Sequence, residues 1–293
     1  MDQAEQLRNK VQMHSFPKPV SRVITVTSGK GGVGKTSFAV NLALQLQRQG
    51  KRVVLLDADF GLANIEIMLG VRPTANLADL MFHGKRLNDI IMSGPEGIGF
   101  ISGGSGIREM ASINREQTFY VMQALSELDQ RADVIIIDTG AGIADTVLDF
   151  AASSEELLLV VTPEPTSITD AYALLKILNR TREFEASRTT IQLVANRVKN
   201  QQEGKEIFEK VSVVAEKFLN VQVEFLGSIE NDEAVSNAIM KQKPLLLSYP
   251  KSDAAYSISQ IAYALDHQGE VLPDQRKGIK KLFTGFIHAR KRK

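Results

Sequence analysis

Three segments follow one another without a gap near the start of this chain, and together they leave few folds open. Arg22-Val23-Ile24-Thr25-Val26-Thr27 reads as a buried strand. Gly29-Lys30-Gly31-Gly32-Val33-Gly34-Lys35-Thr36 has the form G-x-x-x-x-G-K-[ST]. Phe38, Leu42 and Leu46 then recur at helical spacing. Strand, glycine-rich loop and helix start form the context in which that spacing binds phosphate. Glycines let the backbone close around the anion with its N–H groups inward. The first turn of the helix, through Ser37, adds unpaired N–H groups and the positive end of its dipole. Lys35 is placed to reach the β- and γ-phosphates, and the Thr36 hydroxyl to hold Mg²⁺. Lys30 exceeds the pattern, which leaves that position free.

The rest of the chain repeats the strand–helix alternation. Lys51–Leu56 is a strand ending in Asp57-Ala58-Asp59, and short helices are expected over 63–69, 77–82 and 87–92. A strand at 98–102 and a helix over 114–130 lead into the apolar run Asp133–Asp138. A helix then runs to about Ala152, and a strand at 157–162 is stopped by Pro163 and Pro165. Thr166 or Ser167 caps a helix to about Glu183. Strands at 190–195 and 223–229 alternate with helices at 204–219, 232–240 and 252–266. This pattern predicts one α/β domain over residues 21–267, a doubly wound, mostly parallel sheet. Ligands of such sheets sit at the carboxyl ends of the strands. The P-loop, Asp57, Asp59, Asp138 and Asn196 all fall there.

The chemistry of that edge is phosphoryl transfer, which needs charge neutralisation and a positioned nucleophile. Asp138, after a continuous apolar strand, is the Walker B type of carboxylate, and Asp57 is a second candidate for Mg²⁺. Asp59 lies two residues on, on the same side of an extended segment, where it can orient the attacking water. ATP and Mg²⁺ are the implied ligands. The chain has no cysteine, which removes disulfides, thiol catalysis and cysteine-held iron–sulfur clusters. It has no apolar run of about 18 residues and no secretory signal at its start, so the expected location is the cytoplasm.

Lys30-Gly31-Gly32-Val33-Gly34-Lys35-Thr36, Leu56-Asp57-Ala58-Asp59 and the Asp138 strand resemble the deviant Walker A ATPases, the group of MinD, ParA and the nitrogenase iron protein. The resemblance spans about residues 22 to 265. It implies an ATP-bound homodimer in which Lys30 reaches the partner's phosphates and Asp59 positions water, so that Lys30, Lys35 and Asp59 are the catalytic set. It also implies that Asn196 reads adenine, and that Glu230 and Asp232 lie in the base-covering loop. This chain has Ile229-Glu230-Asn231-Asp232 where the family commonly has Pro-Glu-Asp.

Both ends carry further signals. Ile279, Leu282, Phe283, Phe286 and Ile287 follow i, i+3, i+4, i+7, i+8, and Lys280 and Lys281 lie toward the flanks. Residues 268–293 therefore read as a basic amphipathic tail, the signature of an anionic membrane surface. A helix docked on its own body and a nucleic-acid-binding tail fit the same pattern. The net charge of +1 hides an acidic body behind this tail, so no specific nucleic acid is expected as a partner. At the other end, residues 1–20 read as a short helix and a proline-containing linker. Asp2, Gln3, Ala4, Leu7 and Arg8 resemble the Asp-Gln-Ala-x-x-Leu-Arg motif of the flagellar MinD-like ATPases, the FlhG, YlxH or FleN group. That resemblance implies a regulator of flagellum number and place. It also implies that the N-terminus stimulates the GTPase of FlhF, with contacts to C-ring components and reversible association with the inner face of the cell membrane. Division-site selection of the MinD type and DNA partition of the ParA type are the alternatives.

Overall fold

One strand shows why this chain needs a layer on each side of its sheet. Val134–Thr139 is buried along its whole length. Val134 and Ile136 enter one apolar cluster, and Ile135 and Ile137 another. A strand with no polar face is stable only when both faces are covered. In the computed structural model, which describes residues 20–59, 64–104, 120, 123–267 and 278–291, both faces are.

Eight strands form one sheet: β1 Arg22–Thr27, β2 Val53–Ala58, β3 Met92–Ser93, β4 Gly99–Ile101, β5 Val134–Thr139, β6 Glu156–Val161, β7 Thr190–Val198 and β8 Glu224–Glu230. Their order is β3-β4-β2-β5-β1-β6-β7-β8. Every pairing is parallel except that of β3 with β4. One face packs α1 Lys35–Arg48, α2 Asn64–Leu69, α9 Glu233–Met240, α10 Leu245–Ser248 and α11 Asp253–His267. The other face packs α3 Leu77–Phe82, α4 Leu87–Ile90 and α5 Leu128–Arg131 over one half, and α6 Asp145–Ser153, α7 Pro165–Leu178 and α8 Gln201–Leu219 over the other. At the end of the sheet remote from the P-loop, the Arg22 guanidinium donates to Glu156 at 2.6 Å and to the Leu265 carbonyl at 2.8 Å. This ties the first strand to β6 and α11.

Local chemistry moved several boundaries. The helix expected over 87–92 ends at Ile90, and Met92 enters the short antiparallel strand β3. The helix expected to reach Glu183 ends at Leu178, where Asn179 closes the last turn. Its N-cap is Glu164 with Pro165 in the first turn. Neither Thr166 nor Ser167 caps it, and the Ser167 hydroxyl instead accepts the Thr162 N–H at 3.0 Å. In the helix expected over 114–130, the described part is interrupted at Glu127. β7 continues beyond Ala195 to Val198 with a register irregularity near Asn196. The helix α8 starts at Gln201, because Asn200 accepts the Glu203 N–H.

The largest departure concerns the C-terminal segment. Its helix α12, Gly278–Lys291, lies on the body beside α5 and α6. Ile279, Leu282, Phe283, Phe286 and Ile287 are buried in the same cluster as Val54, Leu56, Ile135 and Ile137. Phe150 of α6 meets Phe286 at 4.3 Å between ring centroids and Phe283 edge-on at 5.7 Å. Lys280 and Lys281 face solvent. Of the three arrangements open to the segment, docking on its own body is the one observed, and the face expected to meet lipid is covered. Burying each such side chain contributes about 1.5–3 kcal/mol, so the described part of this tail is a working layer of the core. The N-terminal residues Asp2, Gln3, Ala4, Leu7 and Arg8 lie outside the described residues.

Candidate active site

The site begins as a register. In the parallel pair β2–β5, Asp57 stands opposite Asp138, and β1 brings Val26 opposite Asp138 on its other side. Two strand-end carboxylates are thus fixed beside the strand that feeds the P-loop. Both are buried. Burial, together with the neighbouring Asp138 charge, pushes the Asp57 carboxyl up to about 8. Burial likewise raises Asp138, against the pull of Lys35.

The P-loop closes over this pair. Gly34 precedes α1 at φ +90, ψ +17, a left-handed conformation that side chains resist. A Cβ there would lie 2.5 Å from Nδ2 of Asn196. Lys35 Nζ lies 3.5 Å from Asp138 Oδ1, and the neighbouring Thr36 hydroxyl also favours the Asp138 charge. The second oxygen of Asp138 is buried and has no hydrogen-bond partner among the described residues. These are hard oxygen donors with unspent capacity at the expected position of a Mg²⁺ ion. Mg²⁺ takes few protein ligands and keeps several waters. Among the described residues no cluster of three or more His, Cys, Asp or Glu could hold a metal by itself, and this chemistry needs none. The residues fit the ion.

Asp59 lines the same cleft, a cavity of about 470 Å³ bounded by Gly31 to Ser37, Asn64 and Arg197. Its Oδ2 accepts from Asn64 Nδ2 at 3.2 Å, and its N–H donates to Asp57 Oδ1 at 3.0 Å. The turn after β5 presses on the loop, where the Gly142 N–H donates to the Ser28 carbonyl at 2.9 Å. Lys30 points elsewhere. Its ammonium bonds the Glu164 carboxylate and donates to the Thr166 hydroxyl at 2.7 Å.

A second cavity of about 310 Å³ adjoins the first and is lined by Gly34, Phe38, Asn196, Arg197, Glu230 and Asp232, among others. It has the place expected for a base, with a qualification for Asn196 and one for Asp232. Asn196 Nδ2 donates to the Val33 carbonyl at 2.7 Å, so the amide braces the P-loop here. Asp232 is the N-cap of α9: it accepts the Ala234 N–H at 2.8 Å and the Ala254 N–H at 3.2 Å. Its carboxylate builds the wall and is already committed to backbone donors.

A model of the ParA family, described as the NUBPL iron-transfer P-loop NTPase, matches residues 19–266. The antiactivator FleN of Pseudomonas aeruginosa is 42% identical over 263 residues, 90% of this chain and 92% of FleN. The chain belongs to the ParA/MinD family of P-loop ATPases. The flagellum site-determining protein YlxH of Helicobacter pylori is 32% identical over 91% of this chain and 90% of YlxH. Among solved structures, MinD of Pyrococcus horikoshii, complexed with Mg-ADP, matches with a TM-score of 0.66 at 23% identity, covering 84% of this chain and 96% of that one. The MinC:MinD complex of Aquifex aeolicus matches at 0.65 and 25%, covering 88% and 100%. This chain is accordingly a P-loop ATPase. Lacking cysteine, it has no thiolate for an iron–sulfur centre.

Sequence reasoning passed over Arg197. It lines both cavities, holds φ +58 and donates its N–H to Asn196 Oδ1 at 2.9 Å. A non-glycine residue in that conformation marks strain held by its surroundings. An Asn-Arg pair at a strand end carries no sign of that backbone angle. Glu164, the resting partner of Lys30, was likewise legible only as a residue between two prolines.

Proposed function

We propose that this ATPase is a dimerising switch that sets flagellum number and place. The observation that carries the reading is the 42% identity to FleN along almost the whole chain; the name of the YlxH relative points the same way. Mg²⁺, when bound, neutralises charge on the phosphates, and Thr36, Asp57 and Asp138 would hold it. Lys35 binds the β- and γ-phosphates, with the backbone of Gly29 to Ser37 around them. Asp59, fixed by Asn64 through Oδ2, orients the attacking water. Asn196, Glu230 and Asp232 shape the base pocket.

Lys30 leaves Glu164 and Thr166 to meet the nucleotide of a second copy, so the ATP state is a homodimer. The basic face of α12 and its apolar stripe fit an anionic membrane at the inner face of the cell. For that contact the helix must first leave its groove, which makes membrane association reversible and limits it to the undocked form. The N-terminal segment stimulates a flagellar GTPase of the FlhF type, and the body contacts C-ring components.

The test is a pull-down with the full chain and with a chain lacking residues 1–20, each loaded with ATP. Capture of the flagellar GTPase by the full chain alone supports the reading. Equal capture by both chains, or capture of division proteins instead, refutes it. Lys30→Ala is expected to bind ATP and stay monomeric by light scattering.

A further inference from the structure

The first turn of α12 is poorly suited to begin a helix. It holds no acidic residue. It holds Lys280 and Lys281 instead, at the end of the helix dipole that repels cations. Gly278, at φ +67, offers no side chain to cap the exposed N–H groups. The missing acceptor comes from far away in the chain. Oδ1 of Asp129, in α5, accepts the Ile279 N–H at 3.3 Å.

Ser21, the residue before β1, also helps to hold the charge of this carboxylate. Ser21 is buried, and its hydroxyl donates to the Ala132 carbonyl at 2.8 Å, just beyond α5. Gly278 is seated in the same corner. A Cβ on it would overlap Cγ1 of Val20 and lie 2.7 Å from both oxygens of Asp129. Three parts of the chain therefore meet at one half-buried carboxylate: the entry to β1, the end of α5 and the start of α12.

We propose that Asp129 is a joint through which the two ends of the chain sense each other. A protein that grips residues 1–19 and draws Val20 and Ser21 out of line shifts the carboxylate. α12 then keeps only its own unfavourable first turn and leaves its groove more readily. The reverse follows by linkage: a surface that captures α12 frees the entry to β1 for the partner. The joint needs neither nucleotide nor lipid, so its test is separate from that of the proposed function.

Hydrogen exchange by mass spectrometry on the full chain reads it directly. Ser21→Ala removes the hydroxyl bond that ties the entry of β1 to the end of α5 and touches no residue of α12. The amides of the first two turns of α12 are expected to exchange about tenfold faster, in keeping with the loss of a helix cap, while α1 and β6 stay unchanged. Unchanged exchange in α12, or acceleration spread evenly over the chain, overturns the proposal. A second variant guards against misfolding. Asp129→Ala removes the acceptor of the Ile279 N–H and adds no atom to the corner. Its amides are expected to exchange about tenfold faster both at Ser21–Arg22 and in the first turns of α12. Acceleration at one end alone, or at neither, overturns it.

Discussion

Phe286→Ala asks whether the C-terminal helix is part of the folded core in solution. The Phe286 ring is fully buried, 4.3 Å from Phe150 and 6.2 Å from Phe283. Truncating a buried phenylalanine removes its transfer free energy and leaves a cavity, a loss of about 3–5 kcal/mol. The contact with Phe150 accounts for about 0.5–1.5 kcal/mol of this. Urea unfolding followed by circular dichroism measures the total, and a cycle with Phe150→Ala isolates the pair. The expectation is a loss of about 3–5 kcal/mol for Phe286→Ala, with a coupling of about 1 kcal/mol between the two rings. A loss below about 0.5 kcal/mol, the range of an exposed substitution, with no coupling, would refute the docked arrangement. A smaller but real loss, with the coupling intact, means that α12 undocks before the body unfolds; global stability then registers only its docking free energy.

Four further outcomes can be checked. Asp57 keeps its proton up to about 8 in the folded chain and loses it near 3.8 when unfolded. Its favourable contribution to metal-free stability is therefore lost as pH rises from about 4 to about 8. The melting temperature in chelator should fall over that range, and Asp57→Asn should remove most of the slope; a flat wild-type profile contradicts the assignment. By the same linkage, Mg²⁺ should bind more tightly as pH rises toward 8, with proton release visible in calorimetry across buffers of different ionisation heat. Gly34→Ala should cost ATP affinity at least tenfold in a fluorescent-nucleotide titration, since the backbone sits at φ +90 and the Cβ meets Asn196 at 2.5 Å; affinity within twofold of wild type would count against it. Gly285→Val should displace α12, because a Cβ there lies 2.7 Å from Ser153 Oγ; the expected readout is trypsin cleavage at Lys280 and Lys281, and continued resistance would argue against the close approach.

Much of the nucleotide site was legible before any coordinates. The P-loop is contiguous, so its spacing alone specifies a local geometry. Asp57 and Asp138 each end an apolar run, and a parallel sheet has one carboxyl edge, so their convergence followed from the fold class. Other features depend on neighbours remote in sequence. The strand β3 is two residues long and exists only because β4 offers it an edge. Arg197 takes its strained backbone from a register irregularity against β8. Asp232 was expected in the base-covering loop; that its oxygens also hold the start of α9 and the Ala254 N–H depends on the fold.

The C-terminal helix marks the boundary most plainly. Its period and charge determined that it would be amphipathic, with Ile279, Leu282, Phe283, Phe286 and Ile287 on one face. They could not determine what that face meets. A lipid surface and an apolar groove reward the same stripe, because the hydrophobic effect is non-directional and scales with the area removed from water. The groove beside Phe150 exists only after α5, α6 and the central strands have assembled. The tertiary structure therefore decided where the helix rests, and the sequence had decided only that it must rest against something apolar.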